Sequence, residues 1–129
     1  MKYVAITGIS QEVVLELANG SVRTIEIQSP HNFFVVLRLS PGDTVFLSST
    51  SLKDVMVGTK GILAKVVEKS IFMHRSFQCV GIHTEECEHL CAQIQLRAKS
   101  FAVVRTSEPR EVVAPLVVDV GEIPYFDAH

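Results

Sequence analysis

The reading of the chain turns on Leu17-Ala18-Asn19-Gly20-Ser21-Val22-Arg23-Thr24-Ile25-Glu26-Ile27-Gln28. Its first part closes a helix. Ser10 is a natural N-cap, and Glu12 lies in the first turn, where the helix dipole favours an acid. Val13, Val14, Leu17 and Ala18 share one face at helical spacing, and Asn19-Gly20 supplies a left-handed stop. From Val22 the period changes to two, with Ile25 and Ile27 on one face of a strand and Thr24 and Glu26 on the other. Arg23, Thr24 and Glu26 thus gather three different polar chemistries in an otherwise apolar chain, and they form the leading candidate ligand site.

Upstream, Tyr3 to Thr7 reads as a short strand ended by Gly8. Downstream, Ser29-Pro30-His31-Asn32 reads as a loop, and Phe33 to Leu39 is apolar enough for a strand or a short buried helix, which periodicity does not separate. Pro41-Gly42 makes a tight turn, and Asp43 leads into a strand over Thr44 to Leu47. Ile62 to Met73 is a long β-rich run whose alternation breaks at Val66-Val67, which predicts a bend or bulge. Thr84 reads as the N-cap of a second helix, with Cys87, Leu90, Cys91 and Ile94 at i, i+3, i+4 and i+7. Strands over Phe101 to Thr106 and Val112 to Val120 follow, and Pro115 marks an edge strand or a break. The expected architecture is α+β: one domain over residues 1–129, a small, partly closed mixed β-barrel with two or three short helices at its ends. The lack of regular βαβ alternation argues against a doubly wound parallel sheet.

The chain has 129 residues, 47% hydrophobic and 20% charged, which suits one domain with one substantial core. A formal net charge of -2 argues against a whole-surface electrostatic grip on nucleic acid or membrane. The cations are unevenly spread, however, and gather between Lys60 and Arg110. Three cysteines make no disulfide framework, the N-terminal apolar run is too short for a signal peptide, and no apolar stretch is long enough to span a bilayer. A cytoplasmic protein without membrane partner or cofactor is expected. No phosphate-binding loop, dinucleotide fingerprint or nucleophile elbow is present.

Read as L-A-N-G-S-V-R-T-I-E-I-Q, residues Leu17 to Gln28 resemble the signature of the ASCH branch of the PUA-like superfamily: a helix end, a Gly, a basic residue, then Thr, an aliphatic, Glu, an aliphatic and Arg. Pro41-Gly42-Asp43-Thr44-Val45-Phe46-Leu47 resembles the family's Gly-Asp turn into a strand, and Gly61 to Glu68 its glycine-led strand crossing the barrel. Overall the sequence is also similar to an uncharacterised family of archaeal proteins of about this length. The PUA-like resemblance implies a pseudo-barrel with a cleft beside the first helix, used by relatives to bind RNA or modified bases. Some ASCH-like members resemble small amidohydrolases acting on acylated nucleosides through a Lys, a Thr and a Glu. Here Arg23 stands at the Lys position, and Arg does not lose its proton at working pH, so it is no general base. Gln28 replaces the family's later Arg and removes a charge that would face a phosphate.

The remaining candidates are weaker. His31 and Asn32 hang over the expected cleft, and Lys53, Lys60 and Lys65 flank or enter the strand expected to wall it, where they would steer a nucleic acid. His83, Cys87 and Cys91 step by four, with His89 nearby, which invites a metal reading. There is no C-x-x-C pair and a structural zinc usually takes four ligands, so packing of the cysteines is preferred and no metal is assigned. The leading expectation is a binding module for RNA or a modified nucleotide. The alternatives are a small amidohydrolase with Glu26 as base and a protein-interaction domain pairing through a free edge at Val112 to Val120.

Overall fold

A computed structural model describes residues 1–107 and 114–123, with the backbone alone at positions 74, 76, 78, 80, 83 and 85–89. The elements run β1 (Lys2–Ile6), α1 (Gln11–Ala18), β2 (Val22–Ile27), α2 (Pro30–Arg38), β3 (Thr44–Leu47), a 3-10 turn at Leu52–Asp54, β4 (Lys60–Val80), β5 (His83–Ser107) and β6 (Val117–Ile123). They make an α+β fold with a six-stranded sheet in the order β2-β5-β4-β3-β1-β6. Only β1 and β3 are parallel. β5 also pairs with β6, so the ladder β5-β4-β3-β1-β6 returns to β5, while β2, among the described residues, is bonded to β5 alone and forms an edge.

Helix α1 forms where the spacing predicts it, and Gly20 at φ 86 provides the left-handed stop while its N–H donates to the Leu17 carbonyl at 3.0 Å. Ser10 holds the N-cap position without a side-chain capping bond. The stretch from Pro30 to Asn32, expected as loop, is instead the first turn of α2. Ser29 is its N-cap, accepting from the Asn32 N–H at 3.1 Å, and Pro30 stands at the first position, where a missing N–H costs nothing. The ambiguous run from Phe33 is therefore helical, and Lys69 from β4 caps its far end by donating to the Val36 and Leu37 carbonyls at 3.1 and 3.2 Å.

The expected second helix at Thr84 does not exist. That segment is the returning arm of one long antiparallel hairpin, β4–β5, paired from Lys60↔Val103 out to Val80↔His83. The loop is the dipeptide Gly81-Ile82 with Gly81 at φ 63, the glycine-first arrangement that suits the twist of a two-residue hairpin. Helical spacing of Cys87, Leu90, Cys91 and Ile94 is overridden by a period of two: Ala92, Ile94 and Leu96 are buried, whereas Leu90, assigned to the buried stripe, is exposed. Outward from Ile71↔Ala92, no third strand joins the hairpin among the described residues.

The expected bulge at Val66-Val67 is present. Val66 opposes Leu96 and Glu68 opposes Gln95, so Val67 is left unpaired. Val66, Leu96 and Ile94 face α1 and α2, in a core completed by Val14, Leu17, Val35 and Val36. Because the bulge reverses the alternation, Glu68 and Ser70 join Gln95 and Gln93 on the face turned away from the helices, and Lys69 turns toward α2.

A second core of Ala5, Phe46, Leu63, Ala102, Val104, Leu116, Val118 and Val120 fills the other side of the returning ladder. Pro115 falls at a break before β6. Strand β6 lies between β1 and β5, so the free edge expected over Val112 to Val120 is not there; Val112 and Val113 themselves lie outside the described residues.

Candidate functional site

A cleft of about 1000 Å³ runs along the open edge of β2. Every residue from Arg23 to Gln28 lines it, facing Thr7 to Ser10 at the entry to α1, Ser29 to Asn32 at the start of α2, Ser51-Leu52 and Ala114. An edge strand turns both of its faces and its unpaired backbone toward such a groove, which is why six consecutive residues share it.

Arg23, Thr24 and Glu26 all line this cleft but do not converge on one face. Arg23 follows the helix-facing alternation of Ile25 and Ile27, and its guanidinium pairs with Glu16 of α1, both side chains being roughly half exposed at 41% and 48%. Thr24 and Glu26 are exposed and stand on the opposite face, as the period of two predicts.

His31 and Asn32 build the end of the cleft rather than hang over it. Asn32 is buried, and its side chain clamps the backbone of Thr7: Oδ1 accepts from the Thr7 N–H at 3.1 Å and Nδ2 donates to the Thr7 carbonyl at 2.8 Å. His31 Nε2 accepts from the Leu116 N–H at 3.0 Å, which leaves Nδ1 to carry the proton and donate to Asn32 Oδ1 at 3.3 Å. One relay thus ties α2 to the end of β1 and to the approach to β6.

None of Lys53, Lys60 and Lys65 lines the cleft. The wall is β2, not the glycine-led strand, so Lys60 only opens β4, Lys65 sits between Thr44 and Arg97 on neighbouring strands, and Lys53 lies in the 3-10 turn beside the lining residue Leu52. The metal reading loses its helical face, since Cys87 and Cys91 lie on a strand; the side chains of His83, Cys87 and His89 lie outside the description.

A smaller recess of about 230 Å³ adjoins the cleft on the face away from the helices, lined by Thr24, Glu68, Lys69, Ser70, Gln93 and Gln95. Thr24 lines both. Sequence reading passed over Glu68, Gln93 and Gln95; the signal that reveals the two glutamines is the alternation Ala92, Ile94, Leu96 against Gln93, Gln95, Arg97.

Comparison with known proteins speaks to family and fold alone. The family profile described as "Protein of unknown function (DUF473)" matches residues 1–118. An uncharacterized protein of Methanocaldococcus jannaschii is 31% identical over 104 residues, covering 79% of this chain and 64% of its own length. The N terminal domain of Mycobacterium avium complex Lon protease is similar in fold at TM-score 0.53 and 14% identity, over 96% of this chain and 55% of that one. The chain thus spans less than two thirds of the length of either protein.

Proposed function

Since the chain belongs to the DUF473 family, whose function is unknown, we propose from its geometry that it is a PUA-like binding module taking a nucleotide-type ligand, with the base in the β2 cleft. The observation that carries this is the lining itself. The cleft is large enough for a base and sugar, and it offers a planar donor in Arg23, an acceptor in Glu26 and a hydroxyl in Thr24 along one strand. Return of the five-strand ladder to β5 supports the pseudo-barrel reading.

Among the described residues the cleft is poor in cations: Arg23 is matched by Glu16, and Lys53, Lys60 and Lys65 lie elsewhere. That favours recognition of base edges over a grip on phosphates. Fluorescence binding curves for a panel of nucleosides and short RNAs, at several salt concentrations, test the reading. Saturable binding with a shallow salt dependence is expected; no binding to any member overturns it.

A further inference from the structure

Across β2, β5 and β4, two rows of side chains lie in register on the face away from the helices: Thr24–Gln95–Glu68 and Glu26–Gln93–Ser70. The rows are neighbours two residues apart, so the six side chains form a compact polar grid, and five of them line the smaller recess. The grid exists because of the Val67 bulge, which is the step that brings Glu68 and Ser70 to this face. Bulges commonly re-aim side chains beside functional sites.

The chemistry of the grid is selective. It presents two carboxylates, two carboxamides and two hydroxyls, a set rich in acceptors. The ammonium of Lys69, the cation bordering the recess, is bonded to the α2 carbonyls. Such a surface disfavours a phosphate and suits a group that donates a hydroxyl proton, as a ribose 2′-hydroxyl does. Thr24 joins the recess to the cleft, so one ligand reaches both.

We propose that the recess is a sugar subsite, and that Glu68, Gln93 and Gln95 bind ribose hydroxyls of a ligand whose base occupies the cleft. The inference rests on the nucleotide reading above and adds to it a preference for ribose over deoxyribose, since a 2′-hydroxyl is the group that tells the two apart.

The test measures affinity for a short mixed-sequence RNA and for the DNA of the same sequence. The wild-type chain is compared with Glu68→Ala and Gln93→Ala/Gln95→Ala, after far-ultraviolet circular dichroism confirms folding. Wild type is expected to favour the ribo form by about tenfold or more, the scale of one hydrogen bond to a charged group. Both variants should lose that preference while keeping their affinity for DNA. Equal binding of both forms by the wild type overturns the sugar subsite but leaves the nucleotide reading intact. Variants that keep the preference overturn the assignment to these residues, and failure to bind either probe or any nucleoside of the panel above overturns both readings.

Discussion

Glu68 stands opposite Gln95, where an uninterrupted ladder from Val66↔Leu96 would have set it opposite Ile94. Deleting Val67 removes the unpaired residue and lets Val66↔Leu96 run directly into Glu68↔Gln95, so Glu68, Lys69 and Ser70 keep their faces. The variant is expected to lose about 1–2 kcal/mol, short of the roughly 3 kcal/mol that an unpaired charge in an apolar layer costs. Val67→Ala, which keeps the bulge and alters an exposed side chain, should cost less than about 1 kcal/mol. Urea unfolding of the two variants side by side checks this; a loss of about 3 kcal/mol or more from the deletion would mean that Glu68 had turned into the core.

Asn32→Ala strips both partners from the backbone of Thr7, itself buried. Each orphaned group costs about 1–3 kcal/mol, so a loss of about 2–6 kcal/mol is expected for the two. Asn32→Asp retains an acceptor for the Thr7 N–H but sets a carboxylate against the Thr7 carbonyl, so it should rescue little. Denaturant midpoints for the pair decide the point, and a near-neutral Asp variant would refute the two-point clamp.

Glu16 holds the guanidinium of Arg23 at a half-exposed position. Neither Glu16→Ala nor Arg23→Ala should change stability by more than about 1 kcal/mol. Their effects on an anionic RNA ligand should oppose each other. Glu16→Ala frees one cation, tightening binding and steepening the salt dependence by about one counterion, while Arg23→Ala weakens binding. Salt-series titrations of both variants would expose the error if the two moved in the same direction.

The N-terminal ammonium of Met1 donates to Asp119 Oδ1 at 2.7 Å, and this hydrogen bond, with added attraction from Arg105 and Lys2, holds the Asp119 carboxyl below the usual aspartate range. A carboxyl whose value falls on folding stabilises the native state fully above its unfolded value. That contribution fades as acid carries the pH through the lowered native value. Below about pH 4 the wild type should therefore converge on Asp119→Asn, from which it differs at neutral pH. Thermal midpoints from pH 7 down to pH 2 would show it, and a gap that stays constant throughout would contradict it.

Local signals were legible wherever one element decided its own shape. The Val13–Ala18 stripe and the stop at Gly20 mark α1 in the local sequence, and β2 follows from its alternation. The run from Phe33 was ambiguous because a short buried helix and a buried strand look alike, although Ser29-Pro30 carries the N-terminal signature that decides it. The segment from Thr84 misled because its acids and cysteines fit a helical stripe, while its strand character comes from pairing with β4 residue by residue. Tertiary pairing overrode a local pattern there. The cleft was half legible for the same reason. Arg23, Thr24 and Glu26 are neighbours in sequence, whereas Glu68, Gln93 and Gln95 meet Thr24 only through two strand pairings and a bulge.

The ladder that returns on itself also dictates an order of assembly. The β4–β5 hairpin closes over a two-residue loop and zips from neighbouring residues, so it is available early. Strand β6 pairs locally with β5, from Ser107↔Val118, but its other neighbour is β1, and its contact with the chain start spans 118 positions. Closing so long a loop carries its entropy cost before any reward, so the β1–β6 pairing is expected to be the slow, late step. A circular permutant that joins the two ends would shorten that search, and it should fold faster than the natural chain while unfolding at a similar rate.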